Sequence, residues 1–342
     1  MTLQDPSLAA DSKAAPAPFS TAVFFIGAII LGGCAGLFSL FSTETFSQGI
    51  EATLLVMIFL LFFELRLGAI FNSFRSIGFL SLAWVANFLI VPVIALAVAG
   101  LVFSGQPLLF AGLMLYFLAP CTDWFLGFTR LAKGDTELGA ALIPINIITQ
   151  LLLFPFWLWL LTKSTGLADF EAMPRMLMQW FVFPLLAAQS LRFVLDKLLP
   201  QTAYERVLSG IDLCVPGVLA ALIFQIFATH IGEITGQLNM VALVTLAVCL
   251  FFIATLVTGK LLSRLARLTY PQQALLSMTM AARNAPLMLA LTAVAIPDQP
   301  IVLVVIVAGM LVEIPLLTAL KQLLLKRTLG RSKEHVFRTN HL

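Results

Sequence analysis

Ten apolar runs recur along this chain, near 20–41, 50–64, 78–103, 107–131, 138–162, 173–197, 207–229, 239–262, 271–296 and 299–325. No other feature constrains the fold as much. A helix of about 20 apolar residues matches the hydrocarbon core of a bilayer. In lipid every backbone N–H and C=O must be satisfied internally, which leaves helices or closed barrels. Barrel strands alternate over about ten residues, whereas these runs are continuous. At 60% hydrophobic and 11% charged residues, the composition exceeds what a soluble core requires. The chain therefore reads as an all-α integral membrane protein of ten transmembrane helices.

The basic residues sort by side. One set of loops and ends carries Lys13; Arg66 and Arg75; Arg130 and Lys133; Arg192, Lys197 and Arg206; Lys260, Arg264 and Arg267; and the stretch from Lys321 to Arg338. Four of the five opposite loops carry no Lys or Arg, and the fifth carries Lys163 and Arg175. The positive-inside rule places the first set, and both termini, in the cytoplasm. Residues 1–19, rich in Ala, Pro and Ser, read as a disordered cytoplasmic tail, and the run after them as a retained helix and not a signal peptide. Residues 20–163 and 172–325 then form two five-helix repeats, followed by a basic cytoplasmic tail over 326–342. Five spans in each half put the halves in opposite orientations, so the repeats are inverted.

One spacing occurs in both halves. Cys121, in the fourth run, lies 29 positions before Gln150; Asn284, in the ninth, lies 29 before Glu313. Both pairs fit a shift of 163 between the halves. The fourth run carries Ala119-Pro120-Cys121-Thr122-Asp123 and the ninth Arg283-Asn284-Ala285-Pro286. Proline beside polar groups at matching places in two halves marks broken helices and a transporter's binding site. Cys121 lies about 21 Å along a helix from Pro107, past the bilayer midplane. The plainer alternative is a proline kink beside a core cysteine.

Asp123 and Arg283 are costly in a membrane, by about 2.5–3.5 kcal/mol each near a helix centre. They read either as a structural pair locking two broken helices, or as functional groups, with Arg283 on an anionic substrate or the pair rearranging in transport. Glu313 has no cation within four residues on its own helix and suits proton coupling; alternatively it is neutral and bonds a neighbouring helix. Asn146, Gln150 and Asn284 are each commonly helix–helix glue, but as a set beside broken helices they read as site lining. Gly32 and Gly36 predict close helix packing. Cys34, Cys214 and Cys249 read as small buried hydrophobes, and His230, His335 and His341 as loop or tail residues. There is no zinc or disulfide spacing and no hydrolase, P-loop or dinucleotide motif. An enzyme, a cofactor and a nucleic-acid partner are not expected.

Leu118-Ala119-Pro120-Cys121-Thr122 and Leu131-Ala132-Lys133-Gly134-Asp135 resemble the fourth span and following loop of arsenite permeases of the arsenical-resistance-3 type. These belong to the bile acid/arsenite/riboflavin transporter superfamily. Asn87 and Pro92, and Val312-Glu313-Ile314-Pro315, extend the resemblance over essentially the whole chain. It implies ten spans in two inverted repeats and crossed broken helices 4 and 9. It also implies a core of spans 3–5 and 8–10 moving against a panel of spans 1, 2, 6 and 7. Cys121 and Glu313 map onto a required cysteine and glutamate. A thiolate suits soft trivalent arsenic. The chain departs from the family at Asp123 and at Arg283-Asn284-Ala285-Pro286, and no sodium-site glutamate appears in the ninth span.

The leading expectation is proton-coupled arsenite efflux across a bacterial plasma membrane. Cys121, Thr122, Asn284, Arg283, Asn146 and Gln150 would bind substrate, with Glu313 and Asp123 on the proton. The alternatives are an organic-anion or organoarsenical carrier with Arg283 on the carboxylate, and a membrane-embedded sensor that binds without transport.

Overall fold

A computed structural model describes residues 18–38, 43–64, 77–122, 124–163, 175, 178–235 and 239–339. Of the expected tail over 1–19, residues 1–17 lie outside the described residues, as do the loop cations Arg66 and Arg75, and Asp123, while Pro18 and Phe19 open the first helix. The chain begins with α1 (Pro18–Leu37) and α2 (Thr43–Glu64). Next come α3 (Ile77–Val85), a π-helical turn (Ala86–Ile90) and α4 (Val91–Phe103) in one continuous rod. The fourth run is two helices, α5 (Pro107–Leu118) and α6 (Trp124–Leu131), followed by α7 (Thr136–Thr162). A second π turn (Met178–Val182) leads into α8 (Phe183–Leu198), then α9 (Gln201–Thr235) and α10 (Asn239–Leu265). The ninth run is again two helices, α11 (Tyr270–Ala281) and α12 (Ala285–Ala295), before the final α13 (Pro300–Thr339).

Six of these rods are long and apolar enough to cross a membrane, and three shorter apolar helices, Val23–Leu37, Pro107–Leu118 and Ala285–Ala295, accompany them among the described residues. Large hydrophobic side chains such as Leu101, Leu152, Phe183, Ile253 and Val257 face outward. An apolar exterior around an equally apolar interior is a surface made for lipid, so the protein is a multi-pass membrane protein.

The rods run past the apolar runs at polar ends. α2 begins at Thr43, α9 spans Gln201–Thr235, and α13 continues to Thr339. Hydropathy marks where a helix is greasy, not where its hydrogen bonding stops. Each π turn precedes a proline at the second position of the next helix, Pro92 or Pro184. A proline lacks the N–H for the i−4 bond and crowds that carbonyl, and the wider turn accommodates both.

α1 and α2 pack on α9, and α2 also on α8. A second group joins α4, α5, α10, α11, α12 and α13. Gly32 and Gly36 bring α1 onto α9 so closely that a Cβ at either would collide with the backbone carbonyl of Phe224 or Ala228. The expectation of close packing there is met. Two others are corrected. Cys34 and Cys214 are exposed on the outer faces of α1 and α9, and Cys249 is half-buried, because small residues also sit well against lipid. His230 lies not in a loop but at a non-helical kink inside α9.

The innermost elements are the broken helices. Every residue of α11 from Ala274 onward, and every residue of α12 from Ala285 to Val294, is buried. A helix apolar on all sides belongs in the middle of a bundle. Replacing both Gly32 and Gly36 by alanine should separate α1 from α9. The expected cost is about 1–3 kcal/mol per overpacked site, read as a lower melting temperature in detergent; unchanged melting would refute the backbone contact.

Candidate functional site

The two breaks meet. Ala119 and Ala282 end α5 and α11 in extended conformation, and the strand-like links pair antiparallel at Pro120 and Arg283. Cys121 N donates to Ala282 O (3.0 Å), and Asn284 N donates to Ala119 O (2.9 Å). Cys121 and Asn284 are 163 positions apart, and so are Ala119 and Ala282. The two bonds therefore exchange when one half is shifted onto the other.

In such a pair the bridged residues themselves do not donate to one another; their N–H directions point away from the partner strand. Proline at 120 is tolerated for that reason. At Arg283 the outward N–H is taken by Glu313 Oε1 at 2.9 Å. The other carboxylate oxygen accepts from the Tyr116 hydroxyl at 2.6 Å. That hydroxyl also lies 3.1 Å from Gly309 O, one turn back on the helix of Glu313. Gly309 makes this possible, since a Cβ there would strike the Tyr116 ring.

The Arg283 side chain is fully buried. Its Nη1 donates to Phe117 O (2.9 Å), and its Nη2 to Thr279 O (2.8 Å) and Met280 O (2.7 Å). These are carbonyls of the last turns of α5 and α11, which the helix breaks leave without intrahelical donors. The helix dipoles place partial negative charge at those same ends. Arg283 thus supplies by side chain what its own backbone N–H, turned toward Glu313, does not supply to Thr279. The guanidinium also lies 5.4 Å from the Phe251 ring centroid, and Phe251 stacks on Phe117 at 4.0 Å.

Of the residues expected at the site, Cys121, Thr122, Arg283, Asn284 and Glu313 come together at the crossing. Thr122 Oγ accepts from Asn284 Nδ2 (2.8 Å), while Asn284 Oδ1 caps α12 by accepting from Leu287 N (3.2 Å). Cys121 is buried, forms no disulfide, and lies within electrostatic reach of Tyr116 and Arg283. Asn146 and Gln150, one turn apart on α7, are buried alongside; Gln150 Nε2 donates to Met288 Sδ (3.6 Å). Both polar atoms of Asn146, and Gln150 Oε1, have no hydrogen-bond partner among the described residues. A small, partly open cleft is lined by Gln150, Ala119, Leu118, Trp157 and Met288. Asn87, on the first π turn, reaches across to Thr279 Oγ (2.9 Å).

Tyr116, Thr279 and Met288 did not stand out in the sequence. Tyr116 carried a usable signal, because a tyrosine inside an apolar span must find a partner for its hydroxyl. Among the described residues no cluster of His, Cys, Asp and Glu is suited to hold a metal ion.

Arg283→Gln leaves helix-end carbonyls without donors. It should destabilise the protein by roughly 3 kcal/mol or more, read as a lower melting temperature in detergent without substrate. Wild-type melting would show that the guanidinium does not hold the crossing.

Residues 52–264 match the profile of the Sodium Bile acid symporter family. The chain is 25% identical over 311 residues to the arsenical-resistance protein Acr3 of Corynebacterium glutamicum, covering 86% of this chain and 83% of that protein. The match over most of the chain, joined to a multi-pass helical architecture, identifies it as a transporter, not an enzyme, and it belongs to the sodium bile acid symporter family.

Proposed function

We propose that this protein is a secondary active transporter that extrudes arsenite in exchange for protons by alternating access. The observation that carries the proposal is the crossing itself. A buried thiol, Cys121, follows directly on the paired links, with Tyr116, Arg283 and Glu313 beside it. Similarity to an arsenical-resistance protein supports the substrate. Trivalent arsenic is soft and binds sulfur, and the thiolate of Cys121 is the matching ligand. Bond formation is a substitution: the sulfur joins arsenic, and one hydroxyl leaves as water with the thiol proton.

The architecture that fits is ten spans in two inverted repeats. The exchange of the Cys121 and Asn284 bonds under a shift of 163 supports it, because a two-fold axis relating the halves requires such a pair. The packing of α1 and α2 on α9, and of α2 on α8, beside the group of helices around the crossing supports a panel and a core. The distribution of basic residues favours cytoplasmic termini in a plasma membrane.

The carboxyl of Glu313 is the proton carrier. When it is ionised, Tyr116 donates to it; when it is protonated, it donates to the Tyr116 oxygen and the tyrosine proton turns to Gly309 O. The Glu313 carboxyl, the Tyr116 hydroxyl and the Arg283 N–H each keep a partner in both states without heavy-atom movement. Cys121 and Arg283 are the other ionisable groups beside the pair. The organic-anion reading needs Arg283 to face a carboxylate, whereas its guanidinium bonds three backbone carbonyls.

In everted vesicles with an imposed proton gradient, wild type should accumulate arsenite and Cys121→Ser should not, at equal insertion. Full activity of the mutant would remove the thiolate mechanism. Glu313→Gln should abolish the pH dependence. Tyr116→Phe removes the carboxyl's hydrogen-bond partner in both protonation states, so the pH midpoint of transport should move; an unmoved midpoint would exclude Tyr116 from proton coupling.

A further inference from the structure

The crossing is symmetric in its links but not in its side groups. Gln150 and Glu313 are equivalent positions, 163 apart, and so are Pro120 and Arg283. The side chains of Gln150 and Glu313 have the same length. On one side, Arg283 N–H reaches Glu313 Oε1 at 2.9 Å. On the other, residue 120 is proline and has no N–H to offer. Gln150 Oε1 accordingly has no partner among the described residues, although the side chain is only 4% exposed.

The orientation of that amide follows from its neighbour. A thioether accepts hydrogen bonds but cannot donate them. Met288 Sδ, 3.6 Å from Gln150 Nε2, therefore takes the amino end and leaves the carbonyl end as the one unfilled. This carbonyl belongs to a residue lining the cleft that also borders Ala119 and Leu118, at the end of the helix leading to Cys121. An unfilled buried acceptor costs free energy until a donor arrives, and no charged side chain lines the cleft.

We infer that Gln150 Oε1 is a receptor for a substrate hydroxyl, filling the place that a backbone N–H at position 120 would fill, and that the ligand class is a small, uncharged hydroxylated species. This rests on the arsenite reading, since trivalent arsenic in water near neutral pH is an uncharged trihydroxide whose O–H groups are donors. A carboxylate offers no donor to the Gln150 carbonyl, whereas a hydroxyl does. Pro120 thus keeps the Gln150 carbonyl available by withholding the donor that would satisfy it internally.

The test is equilibrium binding of arsenite to the purified full-length protein by titration calorimetry, for wild type, Gln150→Leu, Pro120→Ala and the double variant. Gln150→Leu removes the acceptor; Pro120→Ala restores an internal N–H that competes with the ligand. Each single variant should weaken binding about tenfold, the equivalent of one lost hydrogen bond, and the double variant should bind no more weakly than Gln150→Leu. Unchanged affinity in Gln150→Leu, or additive losses in the double variant, would overturn the inference while arsenite binding by wild type stands. If Pro120→Ala does not fold, Gln150→Leu alone decides. A wild-type protein that binds no arsenite would overturn the functional reading and this inference with it.

Discussion

Everything at the centre of this molecule depends on one guanidinium. Two helices stop inside the bundle, and each leaves buried carbonyls without intrahelical donors. Arg283 answers both ends at once, with three hydrogen bonds to Phe117, Thr279 and Met280. Its positive charge meets the negative poles of α5 and α11, and the aromatic pair Phe117 and Phe251 closes one side. A charge that would be expensive alone becomes the element that permits two broken helices to meet.

Backbone geometry divides the labour between the halves. The paired links turn the N–H at 283 outward toward Glu313, and at 120 the corresponding direction carries only a proline ring. One side of the crossing is therefore satisfied, with the Glu313 carboxylate held between the Arg283 N–H and the Tyr116 hydroxyl. The other keeps an acceptor, Gln150 Oε1, without a donor among the described residues, on a residue lining a partly open cleft. The two links of the crossing thus present different side groups because Pro120 and Arg283, 163 positions apart, differ in having a backbone N–H.

Much of the fold was legible because lipid imposes it. The apolar runs locate every rod, and the breaks in the fourth and ninth are visible as proline beside polar residues. The repeated 29-residue spacing pointed to the equivalence that the crossing bonds display. The helix ends were not legible, since the polar turns of α2, α9 and α13 continue hydrogen bonding beyond the apolar stretch. The carbonyl partners of Arg283 were also hidden, because carbonyls at a helix end carry no side-chain signature; its other expected partner, Asp123, lies outside the described residues. The burial of Cys34 and Cys214 was misjudged for a related reason, as inside and outside are equally apolar here and hydrophobicity alone cannot tell them apart. Glu313 and Cys121 stood out because ionisable and thiophilic groups are scarce at that depth, whereas Tyr116 was overlooked as one more aromatic.

The central claim is that a thiol at the crossing takes the substrate. X-ray absorption at the arsenic edge, on purified protein loaded with arsenite, addresses it most directly. One sulfur and two oxygens around arsenic in wild type, and oxygens only in Cys121→Ser, are the predicted result. An all-oxygen shell in wild type, or sulfur retained in the mutant, would contradict it.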